Sequence, residues 1–476
     1  MFVGREVQLD ELKSLWRKRT SSLVVVSGRR RIGKSTLVEK FAEDSACAFI
    51  EIAGLAPDED MTNEKQLANF CERLSVQADM PVAVADGWSK AFDALFEVTR
   101  KFDRLVIFLD EISWMGRYDT TFAAYLKNAW DIQFSKRPNL VFVLAGSVSS
   151  WIHDNIQNSR GFVGRISLDM VLGELTLGQS RRFWGELAER TSTREILDML
   201  SVTGGIPKYL EEIDPALTVE ENVRKLCFTP DGYLFKDFDS IFSDVFGETM
   251  VAKRTILKTL ATGPASVSEI AERTKLGLNG RITEELRDLM VAGFVAAANG
   301  LNPSTGKPVR EVRYRLRDNY MRFYLKYIEP RKTAVMDGLY RFVDLESMAG
   351  WETTLGLQFE NLILNNLSSL APHLGIGRSI VTSAAPYLRR GGRQGGVQVD
   401  LLVQTEKSVC LVEIKRRKRI GPEIENEVRS RLAKLCVRRG ISKRTALVYD
   451  GALAPEVVDG GYFDFIVPAS ELLAAQ

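Results

Sequence analysis

A chain of 476 residues is longer than one hydrophobic core usually supports, and 45% hydrophobic against 26% charged residues is an ordinary globular balance that excludes a disordered or fibrous protein. The formal net charge is only +2, the five cysteines (Cys47, Cys71, Cys227, Cys410, Cys436) show no paired spacing, and two histidines (His153, His373) argue against Ser-His, Cys-His or His-rich metal chemistry. No apolar run approaches the roughly 18 residues of a membrane span, so the expectation is a cytoplasmic protein of about three domains, with no membrane partner, whose chemistry rests on carboxylates, lysine and bound metal.

Phe2-Val3-Gly4-Arg5-Glu6 opens a helical pattern (Leu9, Leu12, Leu15, Trp16); packing near an adenine and a plain N-terminal helix are its two readings. The apolar run Leu23 to Val26 then reads as a strand, and Thr36 to Phe41 as a helix. Between them Gly28-Arg29-Arg30-Arg31-Ile32-Gly33-Lys34-Ser35 fits G-x-x-x-x-G-K-[ST] without a mismatch, in the strand, loop, helix order that a phosphate-binding loop requires. Gly28 and Gly33 let the backbone curl so that N–H groups point inward, Lys34 reaches the outer phosphates, and Ser35 offers a hydroxyl to Mg2+. Gly28 to Thr36 is thus the expected nucleotide-binding segment.

Ala46 to Ile52 reads as a second strand, followed by helices near 64 to 76 and 88 to 100. Strands alternating with helices imply an α/β fold with a parallel sheet. Leu105 to Leu109 is a buried strand ending in Asp110-Glu111, at the sheet edge where ligands of parallel sheets bind. Asp110 can hold Mg2+, and Glu111 can orient and polarise the attacking water. The strand Leu140 to Gly146 ends in Ser147, placed either to sense the γ-phosphate or to make a simple turn. Arg160 and Arg165 are weaker candidates for stabilising transferred charge.

Together with the Gly164-Arg165 turn and Gly204-Gly205-Ile206-Pro207-Lys208-Tyr209-Leu210, these residues resemble the archaeal-type branch of the signal-transduction (STAND) ATPases, relatives of AAA+ enzymes. The resemblance implies ATP as the nucleotide, and a lid in which Gly205, Ile206 and Pro207 approach it. Residues 251 to 316 read as a winged helix, with helices Ala252 to Leu260, Val267 to Arg273 and Arg281 to Ala292 and a wing of Phe294 to Ala298 and Val309 to Leu316. Arg281 and Arg287 are offset there by Glu284, Glu285 and Asp288, which favours a relay role over phosphate contact. Tyr314 to Tyr324 resembles the run that joins wing to tail in the same family.

In the tail, an apolar helix from Thr354 carries Glu360, and strands Val397 to Gln404 and Val409 to Lys415 follow. A four-residue turn, Thr405 to Ser408, would set Gln404 opposite Val409 and hence Asp400 opposite Glu413, with Lys415 on the same face. Two opposed carboxylates can share Mg2+, and a lysine beside them can steady developing charge. Asp400, Glu413-Ile414-Lys415 and Glu360 resemble the PD-(D/E)XK restriction-endonuclease superfamily, with Val399 where the motif has proline. The resemblance implies catalytic roles for Asp400, Glu413 and Lys415 and metal ligation by Glu360, Asp400 and Glu413. From Ile376 to Arg444 there are 17 Lys and Arg against 6 Asp and Glu, which points to nucleic acid, DNA in the first instance, at the tail.

The expected organisation is a P-loop ATPase core (1–170), a helical lid (171–245), a winged helix (246–316), linker helices (317–350) and a nuclease-like α/β domain (351–476). The function that follows is an ATP-hydrolysing switch coupled to a Mg2+-dependent nuclease-like tail, with a homo-oligomer left open. A nucleotide-controlled DNA-binding or scaffold protein with an inactive nuclease fold is the rival, and a chaperone-like motor a more distant one.

Overall fold

Five runs rich in valine, isoleucine, leucine and phenylalanine form parallel strands in the computed structural model, which describes residues 2–18, 20–147, 150–238, 250–277, 280–376, 380–391 and 395–474. They are β1 (Ser22–Gly28), β2 (Ala48–Ala53), β3 (Leu105–Asp110), β4 (Leu140–Ser147) and β5 (Ile166–Leu172), in the order β2-β3-β4-β1-β5. β1, β3 and β4 are buried along nearly their whole length, as central strands covered on both faces must be. Their side chains alternate between two cores: Val24, Val26, Val106 and Phe108 pack with Leu12, Leu37 and Phe41, while Leu23, Val25 and Ile107 pack with Phe70, Trp88 and Phe92. β5 was not anticipated. The alternation Leu168, Met170, Leu172 lays it against the first of these cores, and it pairs with β1.

The chain divides into two compact units, one built chiefly on Met1–Glu174 and the other on Leu175–Phe242, Glu248–Met290 and Phe294–Gln476. The boundary expected at 245/246 lies outside the described residues. In the second unit, Thr176 with Gln179, Ser192 with Glu195 and Thr218 with Glu221 form capping boxes that start the helices Leu177–Arg181, Thr193–Thr203 and Val219–Cys227. Helices Met250–Ala261, Val267–Thr274 and Gly280–Val291 follow, with a three-stranded antiparallel sheet of β6 (Ala265–Ser266), β7 (Val295–Ala297) and β8 (Arg313–Leu316) in the order β6-β8-β7. The segment after β8 is deeply embedded: Tyr320, Phe323, Tyr324 and Tyr327 are buried, and Arg322 donates to Gln358 Oε1 at 2.5 Å and Leu316 O at 2.9 Å.

The tail sheet runs β13-β12-β11-β10-β9, from β9 (Val381–Arg389), β10 (Val397–Thr405), β11 (Ser408–Ile420), β12 (Ser442–Leu453) and β13 (Phe465–Pro468). β9, β10 and β11 are antiparallel, and β11, β12 and β13 are parallel. Gln404 lies opposite Val409 and Leu401 opposite Val412, the register that the short turn dictates. Between the pairs Val399–Tyr387 and Leu402–Ala385, two residues of β10, Asp400 and Leu401, face Pro386 alone. Proline has no N–H to give to the ladder, so a β-bulge is accommodated here, and it re-aims Asp400. Among the described residues, no helix is long and apolar enough to cross a membrane.

Candidate functional site

The phosphate loop leaves β1 at Gly28 and enters the Lys34–Asp44 helix through Gly33, whose φ of 86° lies in the left-handed region where a side chain would be strained. Gly33 is the N-cap and offers no side chain, so the first N–H groups of an 11-residue helix face the loop without a side-chain acceptor. Lys34 is buried and its Nζ donates to Gly28 O at 3.2 Å and Arg29 O at 3.5 Å. Burial holds its pKa below the ordinary lysine value, against the pull of Glu111 and Asp110. Ser35 Oγ donates to Asp110 Oδ2 at 2.7 Å, joining the loop to the end of β3.

Glu111 follows with φ 48°, and its N–H donates to Asp110 Oδ1 at 2.9 Å. Its carboxylate accepts from the Ser147 N–H at 3.3 Å and lies 3.4 Å from Ser147 Oγ. Burial raises the Glu111 pKa, with Lys34 opposing. Lys34, Ser35, Asp110, Glu111 and Ser147 therefore converge, and Ser147 holds the Glu111 carboxylate. In the loop, Arg29 is buried and Arg30 lies over the Trp114 ring at 5.7 Å. Arg165 forks onto Asp131, with Nε–Oδ1 at 2.6 Å and Nη2–Oδ2 at 2.9 Å, and this pairing pulls the Asp131 carboxyl down to about 2.

Arg5, read in the sequence only as part of an opening that packs near the adenine or forms a plain N-terminal helix, reaches the phosphate loop itself. Its Nη2 donates to Ile32 O at 3.2 Å and to Gly173 O at 2.6 Å, so one guanidinium ties the phosphate loop to the chain just beyond β5. Burial lowers its pKa to about 10. Removing a charged donor from buried carbonyls costs about 1.5–3 kcal/mol. Arg5→Ala is therefore expected to lower the melting temperature and weaken ATP binding, both read from melts with and without nucleotide.

These residues fit a nucleoside triphosphate with a divalent cation: an open helix N-terminus, a buried amine on two backbone carbonyls, and the paired oxygens of Ser35 and Asp110. Pro207 belongs to the second unit, where it is the first residue of the helix Pro207–Glu211. The turn before it is locked locally. Leu175 N–H donates to Gly205 O at 2.8 Å, and a Cβ on Gly205 would stand 2.3 Å from Leu175 O.

The second unit gathers another set. The Ile414 N–H donates to Asp400 Oδ2 at 3.0 Å, and Lys415 Nζ is 3.9 Å from the same oxygen and contacts Glu413 Oε1. Glu413 is fully buried, and its other oxygen is taken by Arg431 of the Glu423–Lys434 helix. Burial, then the charge of Glu413, raises the Asp400 pKa; burial, then Asp400, pushes Glu360 up to about 7. Glu360, Asp400, Glu413 and Lys415 thus share one electrostatic environment. Among the described residues no group of three or more His, Cys, Asp or Glu side chains is placed to hold a metal ion, and two cations, Lys415 and Arg431, engage Glu413. Arg431 was counted in the sequence only among the 17 basic residues from Ile376 to Arg444.

A parallel sheet ordered β2-β3-β4-β1-β5, with the phosphate loop after β1 and the acid pair at the end of a strand one place removed, defines an ATPase of the P-loop class. Residues 2–213 match the family described as an ATPase domain predominantly from Archaea. An uncharacterized protein of Methanocaldococcus jannaschii is 24% identical over 425 residues, covering 87% of each chain. An uncharacterized ATP-binding protein of the same organism is 41% identical over 44 residues, 9% of this chain and 75% of that one. Among solved structures, the Walker-type ATPase of Pyrococcus abyssi is similar with 16% identity and a TM-score of 0.47, over 68% of this chain and 96% of that one.

Proposed function

We propose that the chain is an ATP-controlled switch whose second unit is a nucleic-acid-binding, nuclease-like module, with DNA as the first substrate to test. When bound, ATP with Mg2+ supplies the phosphoanhydride to be cleaved. Lys34 offsets its negative charge, Ser35 and Asp110 present oxygens, and Glu111, oriented by Ser147, accepts a proton from water. The helices and sheet between 250 and 316 are read as a winged helix in a relay role, and the strands carrying Asp400, Glu413 and Lys415, with Glu360, as a PD-(D/E)XK-like site.

The observation that carries the coupling is an ion cluster inside the second unit. Arg416, next after Lys415 on β11, forks onto Asp198 with Nε–Oδ1 at 2.9 Å and Nη2–Oδ2 at 2.8 Å, and its Nη1 reaches Glu352 at 2.7 Å. Asp198 lies on the Thr193–Thr203 helix, which runs directly into the Gly205-Ile206-Pro207 turn proposed to respond to nucleotide. A shift of that helix therefore acts on the strand bearing Glu413 and Lys415.

The test is supercoiled plasmid with Mg2+, with and without ATP, using wild type, Asp400→Asn and Lys34→Ala. The switch reading expects cutting that needs Asp400 and changes with ATP only when Lys34 is present. Undiminished cutting by Asp400→Asn would remove the nuclease part. DNA binding without cutting would favour the regulator with an inactive nuclease fold.

A further inference from the structure

A cavity of about 200 Å3 opens beside the carboxylates of the second unit. Ala298 and Arg315 line it from the β7–β8 side, Tyr387 and Val399 from the tail sheet, and Glu360 and Asp400 from where the proposed scissile phosphate would lie. Its two sides are fixed to each other: Gln404 Nε2 donates to Leu301 O at 2.6 Å, the Leu301 N–H donates to Ser383 Oγ at 3.2 Å, and Arg390 pairs with Glu269 at 2.8 Å. Arg315 is also held, donating to Asn365 Oδ1 at 2.8 Å and to Asn361. The cavity is therefore preformed.

We propose that this cavity is a subsite for one unpaired nucleotide, so that the second unit takes single-stranded nucleic acid or a frayed strand end in preference to intact duplex. The inference rests on reading the tail as a nucleic-acid module and names its substrate class. A phosphodiester at Asp400 is flanked by its two nucleosides, and this cavity adjoins that position. Pro264, Pro386 and Leu388 give the cavity apolar walls that suit the faces of a base ring. Arg315 places a cation on the cavity wall, and the stretch Ile376 to Arg444, with 17 basic against 6 acidic residues, complements the rest of the strand. The volume falls below the roughly 300–1,000 Å3 of pockets for larger ligands, so it admits a single base and no base pair.

The probe is a short single-stranded DNA carrying 2-aminopurine, compared with the same strand in duplex, titrated with the full chain in Ca2+ as a divalent ion that does not support cutting. Anisotropy reports binding and aminopurine emission reports the base environment. Ala298→Phe fills the cavity from one side; Leu388→Trp fills it from the other, at a residue 38% exposed whose replacement leaves the core intact. Both variants are expected to weaken single-strand binding about tenfold, the worth of one stacked base, and to abolish the emission change, with duplex binding and ATP hydrolysis unchanged. Single-strand binding that survives Leu388→Trp, or duplex that competes equally with single strand, would overturn the subsite alone. Binding of neither form by wild type would overturn the subsite and the nucleic-acid reading together.

Discussion

Glu111→Gln is expected to slow ATP hydrolysis by roughly 100- to 1,000-fold, within the range that a positioned general base contributes, while ATP binding stays close to wild type. The amide keeps the size of the carboxylate and can still accept from the Ser147 N–H, so the loop and its helix remain as they are. What it cannot do is take a proton from water. Lys34→Ala should lose hydrolysis and binding together, because its buried amine sits on the loop carbonyls at the start of the helix. Ser147→Ala is expected to fall between them, since it removes the hydroxyl but leaves the backbone donor on Glu111. Phosphate release and nucleotide binding measured side by side separate the three. Wild-type turnover by Glu111→Gln would mean that the water is activated elsewhere.

The parts of this site that were legible in the sequence are those fixed by local pattern. Gly28 to Ser35 could be read because a strand, a glycine-bounded loop and a helix follow one another, and Asp110-Glu111 because an apolar strand buried on both faces ends there. The pairing of β10 with β11 was legible because a short turn leaves one register. β5 was not, because its first half is only partly buried and leaves a weak apolar signal. The bulge at Asp400 could not be seen without β9, which supplies Pro386 from a stretch whose glycines and arginines mask a strand. Arg5, Arg416 and Arg431 act on partners 27, 218 and 18 residues away, and such pairs leave no periodicity to find.

Arg416→Met is expected to destabilise the second unit by about 3–5 kcal/mol, the usual cost of removing one partner of a buried ion pair. Only 2% of the Arg416 side chain is exposed, and burial works against its charge, yet Asp198 and Glu352 together hold its pKa above the ordinary value. Asp198 stands the other way: burial outweighs Arg416 and pushes its carboxyl up to about 6. The pair is thus carried by the arginine, and without it Asp198 is left as a partly buried charge with Arg194 nearby. Arg416 lowers the Asp198 carboxyl, so in Arg416→Met this carboxyl lies higher still and takes up its proton before the unfolded chain does; the loss should therefore shrink as pH falls toward about 6. Asp198→Leu combined with Arg416→Met should recover much of the stability, because an apolar pair replaces both charges. Denaturant melts of the two single variants and the double variant close the cycle. The double variant also isolates the coupling: it is expected to hydrolyse ATP as wild type does, but with DNA binding by the second unit no longer responding to ATP. If that response survives in a folded double variant, the Thr193–Thr203 helix and β11 move independently, and the nucleotide state reaches Glu413 and Lys415 by another path.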